Sequence, residues 1–134
     1  MSRFQKYNGP DKYHFRFYRR NGRHPFLVVL VETREEKGKH YLSGYLITHD
    51  IKKWLDYPKK YIRLSSNPNP KDGEPAYLCK IRIENIPQKM FSKPYKQWHL
   101  SEEDEEIIDM LEKKKVLRFS GGLPILTNLR FFVG

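Results

Sequence analysis

The sequence predicts a mainly β (α+β) domain: a small curled antiparallel barrel with one helix in its C-terminal half. Strand-like alternation of side chains recurs along residues 12–86, turn signals separate the runs, and a single capped helical stretch follows.

Residues 12–20 (KYHFRFYRR) place Tyr13, Phe15 and Phe17 on one face and His14, Arg16 and Tyr18 on the other. That period of two marks a half-buried strand. Asn21-Gly22 follows, a strong hairpin signal. The run Pro25–Val31 is apolar throughout and rich in β-branched valine, as suits a buried strand. A charged tip over Arg34–Lys39 leads to its partner, Tyr41–Thr48. Residues 49–58 suit a short helical turn or a loop, and Tyr61–Leu64 a short strand. SSNPNPKDGEP (65–75) is a turn-rich loop. Ala76–Ile86 alternates again, with Leu78, Lys80, Arg82 and Glu84 opposite Tyr77, Cys79, Ile81 and Ile83. Pro87 and Pro94 make 87–99 irregular. Ser101-Glu-Glu-Asp104 resembles a capping box with Asp in the fourth place, which predicts a helix over about 102–115. Ile107, Ile108 and Leu111 form its buried stripe, and Gly121-Gly122 breaks the chain.

A length of 134 residues suits one domain, 1–134, with its core over about 12–117 and residues 118–134 an extra strand or a tail. Lys and Arg number 26 against 16 acidic residues, a net +10. The excess is +6 in residues 1–40, +6 in 41–100 and −2 in 101–134. Such a field attracts phosphate backbones, and RNA is the polyanion expected. Cys79 is the lone cysteine, which excludes an internal disulfide and a cysteine-built metal site. His14, His40, His49 and His99 lack ligand spacing, and GxxxxGK[ST] does not occur, so no metal or cofactor is expected. The N-terminus carries no apolar signal core and no apolar run is long enough to cross a bilayer, so the expected location is the cytoplasm, with no membrane partner.

Gly22-Arg-His-Pro25 leads into FLVVLVE, and Tyr45-Leu-Ile-Thr48 ends the next strand. Cys79–Ile86 (CKIRIENI) and Leu100-Ser-Glu-Glu-Asp104 before a helix follow in order. In order and spacing these pieces resemble the MazF/PemK family of toxin endoribonucleases and its ToxN-like relatives, over about residues 12–115. The resemblance implies an SH3-like, MazF/PemK-type barrel and metal-independent cleavage of single-stranded RNA. It also implies a toxin–antitoxin system, with a cognate antitoxin, protein or RNA, covering the site, and leaves room for a homodimer.

Metal-free cleavage must deprotonate a ribose 2′-hydroxyl, protonate the leaving 5′-oxygen and stabilise charge on phosphorus. The resemblance places Thr48 on the family threonine, where its hydroxyl would hold a phosphate oxygen. The family arginine before the proline is His24 here, with Arg23 one step earlier. His49 has no strict MazF counterpart; ToxN-like relatives place a serine there. Either histidine suits proton transfer near neutral pH. Aligning Ile81-Arg82 with the family Ile-Arg makes Arg82 the second cation, whereas aligning Glu84-Asn85-Ile86 with Glu-Gln-Ile puts Pro87 there. Thr48 also reads as a strand end, His24 as a turn residue, His49 as a loop cap, and Arg82 as part of a solvated face.

Arg16, Arg19, Arg20, Lys52, Lys53 and Lys80 are candidate RNA phosphate contacts. Tyr18, Tyr45, Trp54 and Tyr57 are candidate stacking platforms, with core packing the alternative for Tyr45 and Trp54. Trp98 reads as packing at the helix entry. Two other functions fit the composition. One is a nucleic-acid-binding barrel without catalysis; the other is a phage or mobile-element module that binds protein through its acidic helix.

Overall fold

The computed structural model describes residues 3–6, 13–19 and 24–120. Over them the chain forms an antiparallel sheet of six strands: β1 (Arg3–Lys6), β2 (His14–Tyr18), β3 (Phe26–Glu36), β4 (Lys39–Thr48), β5 (Tyr61–Arg63) and β6 (Tyr77–Pro87). Helix α1 spans Ile51–Asp56 and helix α2 Glu102–Ser120, with a 3-10 turn at Gln88–Met90. The strands run β1-β3-β4-β6-β5, and β2 shares the edge of β3 with β1. The mainly β expectation with a helix in the C-terminal half holds. The sheet is not closed: among the described residues neither β1 nor β2 pairs with β5.

The uninterrupted apolar run in β3 exists because both of its faces are covered. Leu27, Val29 and Val31 join Phe15, Tyr45, Ile47 and Leu78 under Ile108 of α2. Val28 and Leu30 join Leu42 and Phe91 on the opposite face. Phe91 arrives there because the chain leaving β6 crosses to the free edge of β2. Met90 O accepts from Arg19 N at 2.7 Å, Ser92 N donates to Phe17 O at 2.8 Å, and Tyr95 N donates to Phe15 O at 2.8 Å. The irregular 87–99 segment thereby satisfies an edge that would otherwise expose its backbone groups.

Several boundaries differ from expectation, each for a local reason. The charged stretch after Val31 is strand rather than tip, because only Lys37 and Gly38 form the turn, with φ of 52° and 77°. Two consecutive positive φ values are what a tight two-residue hairpin needs. β1 was not expected; four residues with one apolar side chain carry little alternation. Its register sets Arg3 opposite Glu35 and Lys6 opposite Glu32. Helix α2 continues five residues past Lys115, so 118–120 belong to it. Residues 121–134, where an extra strand or tail was expected, lie outside the described residues.

Gly44 is a packing requirement of the sheet. A bulge in β3 between Leu30 and Glu32 brings its backbone close, and a Cβ on Gly44 would stand 2.1 Å from Val29 O. Any larger side chain there forces β3 and β4 apart.

Candidate functional site

The antiparallel return of β4 along β3, with Leu27 opposite Ile47, puts the start of β3 and the end of β4 at the same end of the sheet. His24, just before β3, therefore meets Thr48 and His49 at the end of β4. All three line one cleft of about 270 Å3, together with Asp72 from the 65–75 loop.

That loop is held by its own side chains. Asn67 Oδ1 accepts from Asn69 N, Asn69 Oδ1 from Lys71 N and Asp72 Oδ1 from Glu74 N, each at 3.0 Å. Such two-residue closures are the use Asn and Asp have in turns. They fix Asp72 so that its Oδ2 sits 3.1 Å from His49 Nδ1. The Glu74 backbone N–H, opposed by burial and aided by His49 and Asn67, holds the Asp72 carboxyl below its ordinary range. An ionised Asp72 favours the tautomer in which His49 donates from Nδ1, leaving Nε2 as an acceptor. Thr48 Oγ1 accepts from Asp50 N at 3.1 Å, which leaves its hydroxyl proton for a ligand. Asp50 in turn caps α1, accepting from Lys52 N at 3.0 Å. The cleft wall is aromatic. Trp98 lines it, stacked on Tyr95 at 4.5 Å and meeting Phe17 edge-on at 5.8 Å. Phe26 also lines it, with the Lys53 ammonium 5.6 Å from its ring centre.

Arg82 does not join this group. It lies on β6 beneath α2, its side chain 9% exposed. Its Nε and Nη2 donate to Glu112 at 2.9 and 3.2 Å, its Nη2 to Glu32 at 3.1 Å and its Nη1 to Glu84 at 2.7 Å. Three carboxylates occupy the guanidinium, so the second cation expected of it is not offered to the cleft. Tyr45, expected as a stacking platform or as core, is buried at 2% exposure and donates to Glu112 at 2.5 Å.

The expected RNA contacts scatter. Lys52 and Lys53 sit on α1 beside the cleft, and Lys80 is exposed on β6. Tyr57 is exposed, with the Lys60 ammonium 5.2 Å from its ring centre. Tyr18 stacks on Phe91 at 5.4 Å and Trp54 on Tyr77 at 5.3 Å, so both pack against the protein. Arg19 is exposed, while Arg16 faces away from the cleft. Arg20 and Arg23 lie outside the described residues.

Asp72 and Trp98 were not expected at a site. The Asn-Pro-Asn-Pro-Lys-Asp-Gly pattern signals a self-bonded loop, but nothing in it says that the loop folds back on residue 49. Among the described residues no cluster of His, Cys, Asp and Glu is arranged to hold a metal ion, and no helix is long and apolar enough to cross a membrane. No protein-family model matches the chain, and neither a curated protein nor a solved structure matches it.

Proposed function

We propose that this basic domain binds single-stranded RNA and cuts it without a metal ion in the cleft between β3 and β4. The carrying observation is that His24, Thr48 and the His49–Asp72 pair line one cavity. In the proposed reaction His49 Nε2 takes the proton from a ribose 2′-hydroxyl, whose oxygen attacks the adjacent phosphorus. The bond from phosphorus to the 5′-oxygen breaks, and His24 returns a proton to the leaving oxygen. The Thr48 hydroxyl donates to a non-bridging oxygen as charge develops there. The products are a 2′,3′-cyclic phosphate and a 5′-hydroxyl end. Bases stacking on Trp98 and the net charge of +10 supply affinity.

The sequence resemblance extends the proposal to an SH3-like, MazF/PemK-type toxin in the cytoplasm. Its partner would be an antitoxin of protein or RNA that covers the cleft.

A second function, RNA binding without cutting, is favoured by the engagement of Arg82 with three glutamates, which removes one expected source of charge stabilisation. Incubation of single-stranded RNA with the protein in EDTA separates the two. Cutting is expected, and Thr48→Ala should slow it about a hundredfold while leaving RNA affinity within about twofold. RNA that is bound but stays whole across varied sequences would establish the binding function instead.

A further inference from the structure

We propose that a second, basic groove on the opposite face of the sheet grips the phosphate backbone of the same RNA strand; this rests on RNA being the ligand of the cleft. Arg16 and Phe17 are neighbours on β2, so the pleat turns them to opposite faces. Phe17 lines the cleft, while Arg16 lines a separate groove of about 750 Å3. Basic side chains enter this groove from three stretches of chain: Arg16 from β2, Lys39 and His40 from the start of β4, and Lys89 and Lys93 from the crossing segment. Among the described residues no Asp or Glu lines it.

Arg16 is held in place by an Nη1 bond to Ser92 O at 3.0 Å, which leaves other guanidinium protons to donate. Lys39, Lys89 and Lys93 are exposed. His40 sits 4.0 Å from Glu35, so the four other cations carry the charge. Arg82 is the contrast: three carboxylates saturate it, whereas no carboxylate among the described lining residues meets Arg16, Lys39, Lys89 or Lys93. Its floor is apolar, formed by Phe91, Pro87 and Pro94. A volume of this size exceeds what one phosphate fills and suits a length of strand with its sugars against the floor. Lys39 and Thr48 stand at opposite ends of β4, about 30 Å of strand apart, so a strand held here is gripped away from the bond being cut.

The test measures binding of a labelled single-stranded RNA in EDTA at several salt concentrations, in a Thr48→Ala background that keeps the strand whole. Replacing Lys39, Lys89 and Lys93 together by alanine should weaken binding about tenfold or more and reduce the salt slope by about 2. A charge-matched control, Lys59, Lys113 and Lys114 to alanine, should change both far less. All six lysines are exposed, so folding is preserved. Equal losses in the two triples, or none in the groove triple, would overturn the proposal. Displacement of the RNA by polyglutamate at equal charge concentration would also overturn it, by making the groove a site for acidic peptide. With Thr48 intact, RNA that binds through the groove but is never cut defeats the cleavage function and leaves the groove standing. A chain that binds no RNA defeats both.

Discussion

Arg82→Ala should lower the unfolding free energy by about 3–5 kcal/mol, read as a fall in the denaturant midpoint near neutral pH. The reason is the company Arg82 keeps. Its loss leaves Glu112 and Glu32, each 15% exposed, without their cation. Glu112 belongs to α2, so the same change loosens the helix from the sheet. Tyr45 to Glu112 and Tyr13 to Asp109 complete this clasp. Burial alone would lower the Arg82 pKa, but Glu112 and then Glu32 outweigh it and push it up. Arg82→Lys should recover little, because an ammonium cannot make the two-pronged contact with Glu112.

The clasp also has a pH signature. Burial, and then the Asp109 and Glu112 carboxylates respectively, push the Tyr13 and Tyr45 hydroxyls well above their ordinary value. The folded chain therefore keeps these protons where the unfolded chain releases them. Their contribution is whole below the ordinary tyrosine range and is lost as pH rises through and beyond it. The fraction of Arg82→Ala that remains folded should cut RNA at the wild-type rate. A protein of undiminished stability that has lost cutting would put Arg82 back in the catalytic machinery.

His49→Ala should slow RNA cleavage by about 10²–10⁴-fold with little change in stability. The ring is mostly exposed, at 62%, so its removal leaves no cavity. Its contribution is a positioned acceptor: Asp72 holds Nδ1 and leaves Nε2 to the ligand. Asp72→Asn should fall between wild type and His49→Ala, because the amide still meets the ring but no longer favours the same tautomer. Asp72 is held below the ordinary carboxylate range, so its stabilising effect is present above that range and fades only as pH falls through its lowered value. An unchanged rate in His49→Ala would remove it from the chemistry.

What was readable from sequence follows from the range of each signal. The alternation at Tyr13, Phe15 and Phe17, the apolar run of β3 and the Ser101 cap are local, and each element is of the expected type, although β3 and α2 run further than expected. Ser101 Oγ accepts from Asp104 N at 3.2 Å, as a cap should. The Asp104 side chain, by contrast, does not return to its own helix end. It is 1% exposed and accepts from Ser65 N at 2.8 Å, a contact across 39 residues that no local pattern encodes. The same limit governs the site. The family resemblance named His24, Thr48 and His49 as candidates, and the β3–β4 pairing brings their strand ends together. Asp72 and Trp98 arrive through a loop return and a chain crossing, which spacing does not reveal. Arg82 was misleading for a related reason: alternation correctly gave its face, next to Leu78 in the pattern, but Glu112 lies 30 residues further on, in α2.

The most direct measurement uses an RNA strand carrying a single 2′-deoxyribose on the 5′ side of the mapped cut, incubated with the protein in EDTA. Attack by the neighbouring hydroxyl predicts that this one position becomes resistant while other sites are still cut, leaving 2′,3′-cyclic phosphate ends. Continued cutting at the deoxy position would contradict the chemistry assigned to His24, Thr48 and His49.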